Sequence, residues 1–183
     1  GSTGTVSGTT SSNRAQVDRI ILIQLLSDID LLALLKNPDA IDGYLDDDGE
    51  GFGSFEEYDV DKAWHGIHFL LTGTAWEGPP PLNFLVGGGT EVGDVDVGYG
   101  PARGLRHSEV LKLAKALEPL SGSELRTRFD PARMIELEIY PTIWDRPLDE
   151  DDTIGYLINF YDGLRSFVRS AATDGRALLV YLN

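Results

Sequence analysis

The stretch Asp61-Lys-Ala-Trp-His-Gly-Ile-His-Phe-Leu-Leu-Thr-Gly-Thr74 restricts what this chain can fold into more than any other. Nearly every position between its ends is apolar, which predicts a helix buried on most sides. Asp59 or Asp61 can cap its start, because a short carboxylate accepts a free first-turn N–H. Gly73 can end it in a left-handed turn. Asp61, His65, His68 and Thr72 fall at i, i+4, i+7 and i+11. At about 100° per residue they form one narrow stripe. Two of the three histidines and a carboxylate therefore share a line on a helix otherwise made for a core.

That stripe supports two kinds of chemistry. A neutral imidazole can act as acid or base beside a carboxylate that orients it. His68 and Asp61 are therefore the catalytic candidates, with His65, His68 and Thr72 as binding candidates. The two imidazoles and Asp61 could also meet at a metal, although i, i+4 is the commoner helical spacing for a histidine pair. The plain structural alternative is a buried helix in which His68 donates to a backbone carbonyl and Asp61 only caps.

The charge limits the partners. The chain of 183 residues carries a net charge of −15. That argues against a nucleic-acid backbone, which needs clustered Lys and Arg. It suits a basic protein partner or a cation. There is no cysteine, so disulfides, thiolate nucleophiles and thiolate zinc sites are excluded. No basic region followed by an apolar run opens the chain, and Gly1-Ser2 in place of a methionine reads as a tag remnant. The most apolar window, Ile20–Leu35, is interrupted by Gln24, Ser27, Asp28 and Asp30 and cannot span a bilayer.

Residues 1–10 are small and β-tolerant, fit for an edge strand. Ser11 or Ser12 can cap a helix from about Asn13 into Ile20–Leu26. Leu25, Leu26, Ile29, Leu32 and Leu35 then mark a helical apolar face. Asn37-Pro38 restarts a short helix that ends near Leu45. After the central helix, Trp76–Pro81 is a rigid turn and Leu82–Val86 a strand. Gly87-Gly-Gly89 turns the chain, and Thr90–Val97 is a second strand. Ser108 caps a helix through Leu117, and Ser121-Gly-Ser-Glu124 is a capping box for another ending near Phe129. Asp130-Pro131 begins a helix to Glu138, and Tyr140–Pro147 is a loop carrying Trp144. Asp151 or Asp152 starts a long helix to about Thr173, stopped by Gly175. Arg176–Leu182 closes the chain as a strand. No repeat or dividing linker interrupts this order. The expected fold is α+β, one domain over 1–183, with a small, largely antiparallel sheet packed against several helices.

Two loops carry further candidates. Residues 28–61 hold twelve acidic side chains against one lysine. Within the acidic loop 46–58, Asp46, Asp48, Glu50, Phe52, Ser54 and Glu57 occupy positions 1, 3, 5, 7, 9 and 12 of an EF-hand frame, with Gly51 at the turn. Asp46, Asp48, Glu50 and Glu57 are thus the calcium candidates. Against them, Gly53 replaces the usual apolar residue and no second hand exists, so the reading that prevails is a solvated loop and no cofactor. In the glycine-rich segment 87–104 there is no phosphate-binding fingerprint. Tyr99 and Arg103 could still face a cleft there, Arg103 binding an anion or pairing with a carboxylate.

Residues 59–73, Asp-Val-Asp-Lys-Ala-Trp-His-Gly-Ile-His-Phe-Leu-Leu-Thr-Gly, resemble the signature of the YfbM-like bacterial domains of unknown function (DUF1877). Gly98–Arg103, Leu125–Pro131, Ile139–Trp144 and Ala177–Tyr181 extend the resemblance over most of the chain. It implies a small α+β cytoplasmic domain and supplies no activity. It matches His68 to a histidine of the family and His65 to a less uniform position. The family opens with a Gly- and Tyr-rich strand, of which Gly1-Ser-Thr-Gly-Thr-Val-Ser-Gly8 is a weakened version. The function expected from charge and pattern is a binding or interaction module with an acidic surface or cleft. The alternatives are an enzyme using His68 and Asp61, or a calcium-binding module. No nucleic-acid or membrane partner is expected.

Overall fold

In the computed structural model, which describes residues 18–45 and 56–183, two long strands form the centre. β1 (Ile21–Ser27) and β5 (Arg176–Leu182) pair antiparallel along their whole length, from Ile21 opposite Leu182 to Ser27 opposite Arg176. β2 (Glu57–Asp61) pairs with the free side of β1. β4 (Arg103–Leu105) adds to β5, and β3 (Thr90–Glu91) adds to β4. The sheet order is β2-β1-β5-β4-β3, antiparallel throughout. The α+β expectation holds.

Both faces of the sheet are covered. Ile23, Leu25, Leu178 and Val180 join the larger core, under α3 (Trp64–Thr72), α4 (His107–Leu117), α5 (Gly122–Arg126), α6 (Pro131–Glu136) and α7 (Thr153–Thr173). Leu26, Ala177, Leu179 and Tyr181 face a second core with Leu31 and Leu34 of α1 (Asp28–Lys36). A 3-10 turn, Pro38–Ile41, and α2 (Asp42–Leu45) follow α1. Ser27, Ser121, Asp130 and Asp152 cap α1, α5, α6 and α7, each accepting a backbone N–H from three residues on.

Several sequence expectations are corrected. Ile20–Leu26 is not helical. A strand buried on both faces has no polar alternation, so its apolar run mimics a buried helix. Helix α1 begins only at Asp28, and its buried positions are Leu31 and Leu34, while Ile29 is 79% exposed. The central helix starts at Trp64 rather than near Asp61, because β2 extends through Asp61. Its N-cap, Ala63, offers no side-chain acceptor, whereas Gly73 ends it left-handed as expected (φ +73°). Leu82–Val86 forms turns, not a strand, and the strand expected over 90–97 is confined to Thr90–Glu91. Ser108 is not a cap: α4 starts at His107, with the Glu109 carboxylate accepting the Arg106 N–H. The expected opening strand, the start of the helix from Asn13, and loop residues 46–55 lie outside the described residues.

Helix α3 crosses α7 at close range. A Cβ on Gly66 would lie 2.6 Å from Leu157 Cδ2 and 3.0 Å from the Trp144 ring. Trp64 is fully buried, and its indole N–H donates to the Arg19 carbonyl. Trp64→Ala is expected to cost about 3–5 kcal/mol, the range for a buried aromatic. Gly66→Ala should also destabilise: the steric cost of overpacking, about 1–3 kcal/mol, opposes a helix-propensity gain of at most about 1 kcal/mol. Denaturant melts of both variants check this. An unchanged midpoint for Trp64→Ala would mean that α3 is peripheral.

Candidate functional site

His65 and His68 sit on α3, both buried, at 1% and 0% exposure. Each ring has an assignable tautomer. The Tyr140 backbone N–H donates to His65 Nδ1 at 2.8 Å, so that nitrogen carries no proton. His65 Nε2–H therefore donates to the Ala75 carbonyl, also at 2.8 Å. An imidazolium would set its Nδ1–H against the Tyr140 N–H. Burial, the larger effect, lowers the His65 pKa, and the Ala75 carbonyl opposes it. The ring is stacked on Trp64 and covered by Trp76, with centroids 4.9 and 4.4 Å away.

His68 Nε2 lies 3.2 Å from Thr72 Oγ1 and 3.4 Å from Thr74 Oγ1. Both hydroxyl protons are committed elsewhere, Thr72 to the His68 carbonyl and Thr74 to the Glu77 carbonyl. Nε2 must then be the donor, which leaves Nδ1 as a buried lone pair with no partner among the described residues. The opposite tautomer would bury an orphan N–H. Burial, with His65 as the second cause, pulls the His68 pKa down to about 4, against the opposing Glu77 carbonyl.

Asp61 does not join these rings. It ends β2 in a left-handed conformation (φ +52°), with its N–H donating to Asp59 Oδ1. Its carboxylate accepts the Tyr156 hydroxyl at 2.9 Å. Burial first, then this carboxylate, raises the Tyr156 pKa. Of the predicted stripe, the fold brings together His65, His68 and Thr72 and separates Asp61. Tyr99, 40% exposed, lies under the Arg19 guanidinium at 4.9 Å. The carbonyl of the same Arg19 accepts the Trp64 indole N–H.

Arg103 forms no ion pair with a carboxylate among the described residues. Its guanidinium donates to the carbonyls of Phe84 (2.9 Å), Gly88 (3.1 Å) and Gly87. Burial lowers its pKa to about 10, with Glu91 opposing, so it stays cationic at neutral pH. Of the calcium candidates, Asp46, Asp48 and Glu50 lie outside the described residues. Glu57 is in β2, where its carboxylate accepts from Gln24 and Tyr181. Among the described residues no group of three or more His, Asp and Glu side chains could hold a metal ion. No described helix is long and apolar enough to cross a membrane.

Arg103 instead shapes a cleft that sequence reasoning missed. An opening of about 320 Å³ lies between residues 80–89 and α4. Pro80, Pro81, Phe84 and Leu105 give it apolar walls, Gly87–Gly89 a backbone wall, and Glu109 and Lys112 the charges. Glu109 and Lys112 form no ion pair with each other, and Lys112 forms none with any described residue. Asn83 also lines the cleft, and its buried side-chain oxygen has no donor among the described residues. The signal available in the sequence was the run Pro79–Gly89, whose prolines and glycines cannot form a regular ladder.

The family model for the domain of unknown function DUF1877 matches residues 19–181. The chain belongs to this family. It is similar to the protein YfbM of Escherichia coli (strain K12), 37% identical over 89 residues, a match covering 46% of this chain. That match spans about half, 52%, of the length of YfbM. The crystal structure of YfbM from Escherichia coli, described as a protein of unknown function, superposes with a TM-score of 0.69 at 25% identity. That superposition covers 90% of this chain and 99% of the other.

The two neutral rings carry a pH dependence of known sign. A histidine whose folded pKa is depressed contributes nothing to it above about pH 6.5, where both states are neutral. Below that the unfolded state takes up a proton that the folded state refuses, so stability falls with pH, in the case of His68 down to its folded pKa of about 4. For His68 the loss is on the order of 3 kcal/mol across this window. His68→Gln should be less stable than wild type at pH 8 by about 1–3 kcal/mol, because the longer amide leaves a buried polar atom unpaired. Its stability should fall less steeply between pH 6.5 and 4. Melts of the two proteins across that range read both effects, and an imidazole titrating near its ordinary pKa by NMR would contradict the buried tautomer.

Proposed function

We propose that this protein is a binding domain whose site is the cleft between residues 80–89 and α4. The observation that carries the reading is the contrast between two sets of polar groups. Those of His65 are sealed and engaged and those of His68 are sealed from solvent, while Lys112 is exposed at the rim of an apolar pocket and has no described ion-pair partner. A cleft of about 320 Å³ is at the small end of ligand pockets, which run about 300–1,000 Å³. Acid–base catalysis by His68 and Asp61 draws no support from the geometry, since the ring is closed to substrate and the carboxylate bonds to Tyr156. A cytoplasmic setting belongs to the same proposal, the lack of cysteine suiting a reducing compartment. The test is an NMR titration with a cocktail of amino-acid-sized carboxylates, amines and amides. Perturbations should concentrate at Gly87–Gly89, Leu105 and Lys112. Binding that maps to His68, or no binding at all, would overturn it.

A second reading rests on α1. Ile29 and Leu32 are exposed, one turn apart, beside Asp28 and Asp30. An apolar pair framed by carboxylates fits a basic, amphipathic protein partner, as the net charge of −15 suggests. Ile29→Asp should leave stability within about 0.5 kcal/mol, as surface changes do. It should weaken binding of an amphipathic lysine-rich peptide, followed by fluorescence anisotropy. Equal affinity in wild type and variant would remove this surface from consideration.

A further inference from the structure

The wall of the cleft has a polarity that follows from how Arg103 holds it. In a planar trans peptide the C=O of one residue and the N–H of the next point in opposite directions. The Arg103 guanidinium draws the carbonyls of Gly87 and Gly88 toward itself. The N–H groups of Gly88 and Gly89 are therefore turned away from Arg103. They find no acceptor among the described residues. Gly88 and Gly89 are both left-handed, at φ +77° and +67°, so the backbone presents two successive donors, with the Asn83 amide packed against Gly88. Arg103 is not part of the cleft lining, whereas Gly87, Gly88 and Gly89 are. The unpaired donors thus belong to the cleft side of the turn.

Lys112 adds a full positive charge to the same cleft, without a described carboxylate partner. We propose that the cleft takes a small apolar monocarboxylate. Its carboxylate accepts from the Gly88 and Gly89 N–H groups and from Lys112, and its hydrocarbon part lies against Pro80, Pro81, Phe84 and Leu105. Opposed to a larger anion are Glu109, on the same helix face as Lys112, and the net charge of −15. A single carboxylate is within the reach of one ammonium and two amides, and a polyphosphate is not. This inference rests on the cleft being the binding site, and its test separates the two.

The probes share one body: 3-phenylpropionate, phenethylamine and 3-phenylpropan-1-ol, with inorganic phosphate as the anion without a body. Each is titrated onto the protein and followed by amide shifts. Expected is binding of 3-phenylpropionate at least about tenfold tighter than of the alcohol, a charge-assisted hydrogen bond being the difference. The Gly88 and Gly89 amides should move most, and phosphate should not compete. Lys112→Gln, at an exposed position, should weaken 3-phenylpropionate about tenfold and leave the alcohol unchanged. Glu109→Gln keeps an oxygen to cap the Arg106 N–H and should tighten the acid. If the alcohol or the amine binds at these residues as well as the acid, the carboxylate inference fails and the cleft reading stands. If no probe perturbs them, both fail.

Discussion

The pairing of β1 with β5, buried on both faces, is the constraint from which the rest of the structure follows. A two-sided strand pair needs apolar cover above and below. On one side α1 and the 3-10 turn supply it, through Leu31, Leu34 and Ile41. On the other, α3 and α7 supply it, meeting at Gly66 and Leu157. The flanking strands then lead outward to different ends. β2 delivers the chain into α3 and the aromatic cluster around His65. β4 and β3 carry it to the glycine turn and the cleft.

Irregular chain explains why the most conspicuous polar residues lie where they do. Segments 73–77, 84–88 and 139–140 run without ladder partners, so their carbonyls and N–H groups need side chains. His65 bridges Ala75 and Tyr140. Thr74 holds Glu77, and Arg103 gathers three carbonyls from 84–88. Polar side chains on an apolar background were read in the sequence as chemistry. In the fold most of them complete the backbone's hydrogen bonding, as buried polar groups generally must.

The legible parts of the sequence were those with local causes. Helix α7 showed clear periodicity and a stop at Gly175, strand β5 was a short apolar run after that stop, and Ser121, Asp130, Asp152 and Gly73 declared helix ends through their own side chains or conformation. Features set by tertiary cover were hidden. Ile21–Leu26 reads alike as helix or two-sided strand, and only the two cores decide between them. Asp61 has helical spacing to His65, but pairing with Ile21 across the sheet keeps it in β2, ahead of the helix. The cleft was invisible because its parts are a proline-glycine run and two charges on a helix nearly thirty residues away. Nothing in local pattern joins them; Arg103 does, through bonds to carbonyls that carry no sequence signal.

The hydrogen bonds that hold the two ends of the molecule differ in what they require. At the aromatic end, His65 works as a connector only while its Nδ1 has a free lone pair, so a proton there breaks the bond to Tyr140. At the cleft end, the guanidinium of Arg103 needs its proton to bond at all and keeps it throughout the acid range. Acidification therefore does not loosen the molecule evenly. The His65 bond to Tyr140 is the one that a proton breaks, while the Arg103 bonds to the carbonyls of the glycine turn persist. Burial lowers both pKa values, so the two linkages have the same sign and differ in where on the pH scale they act, His65 in the acid range and Arg103 in the alkaline one.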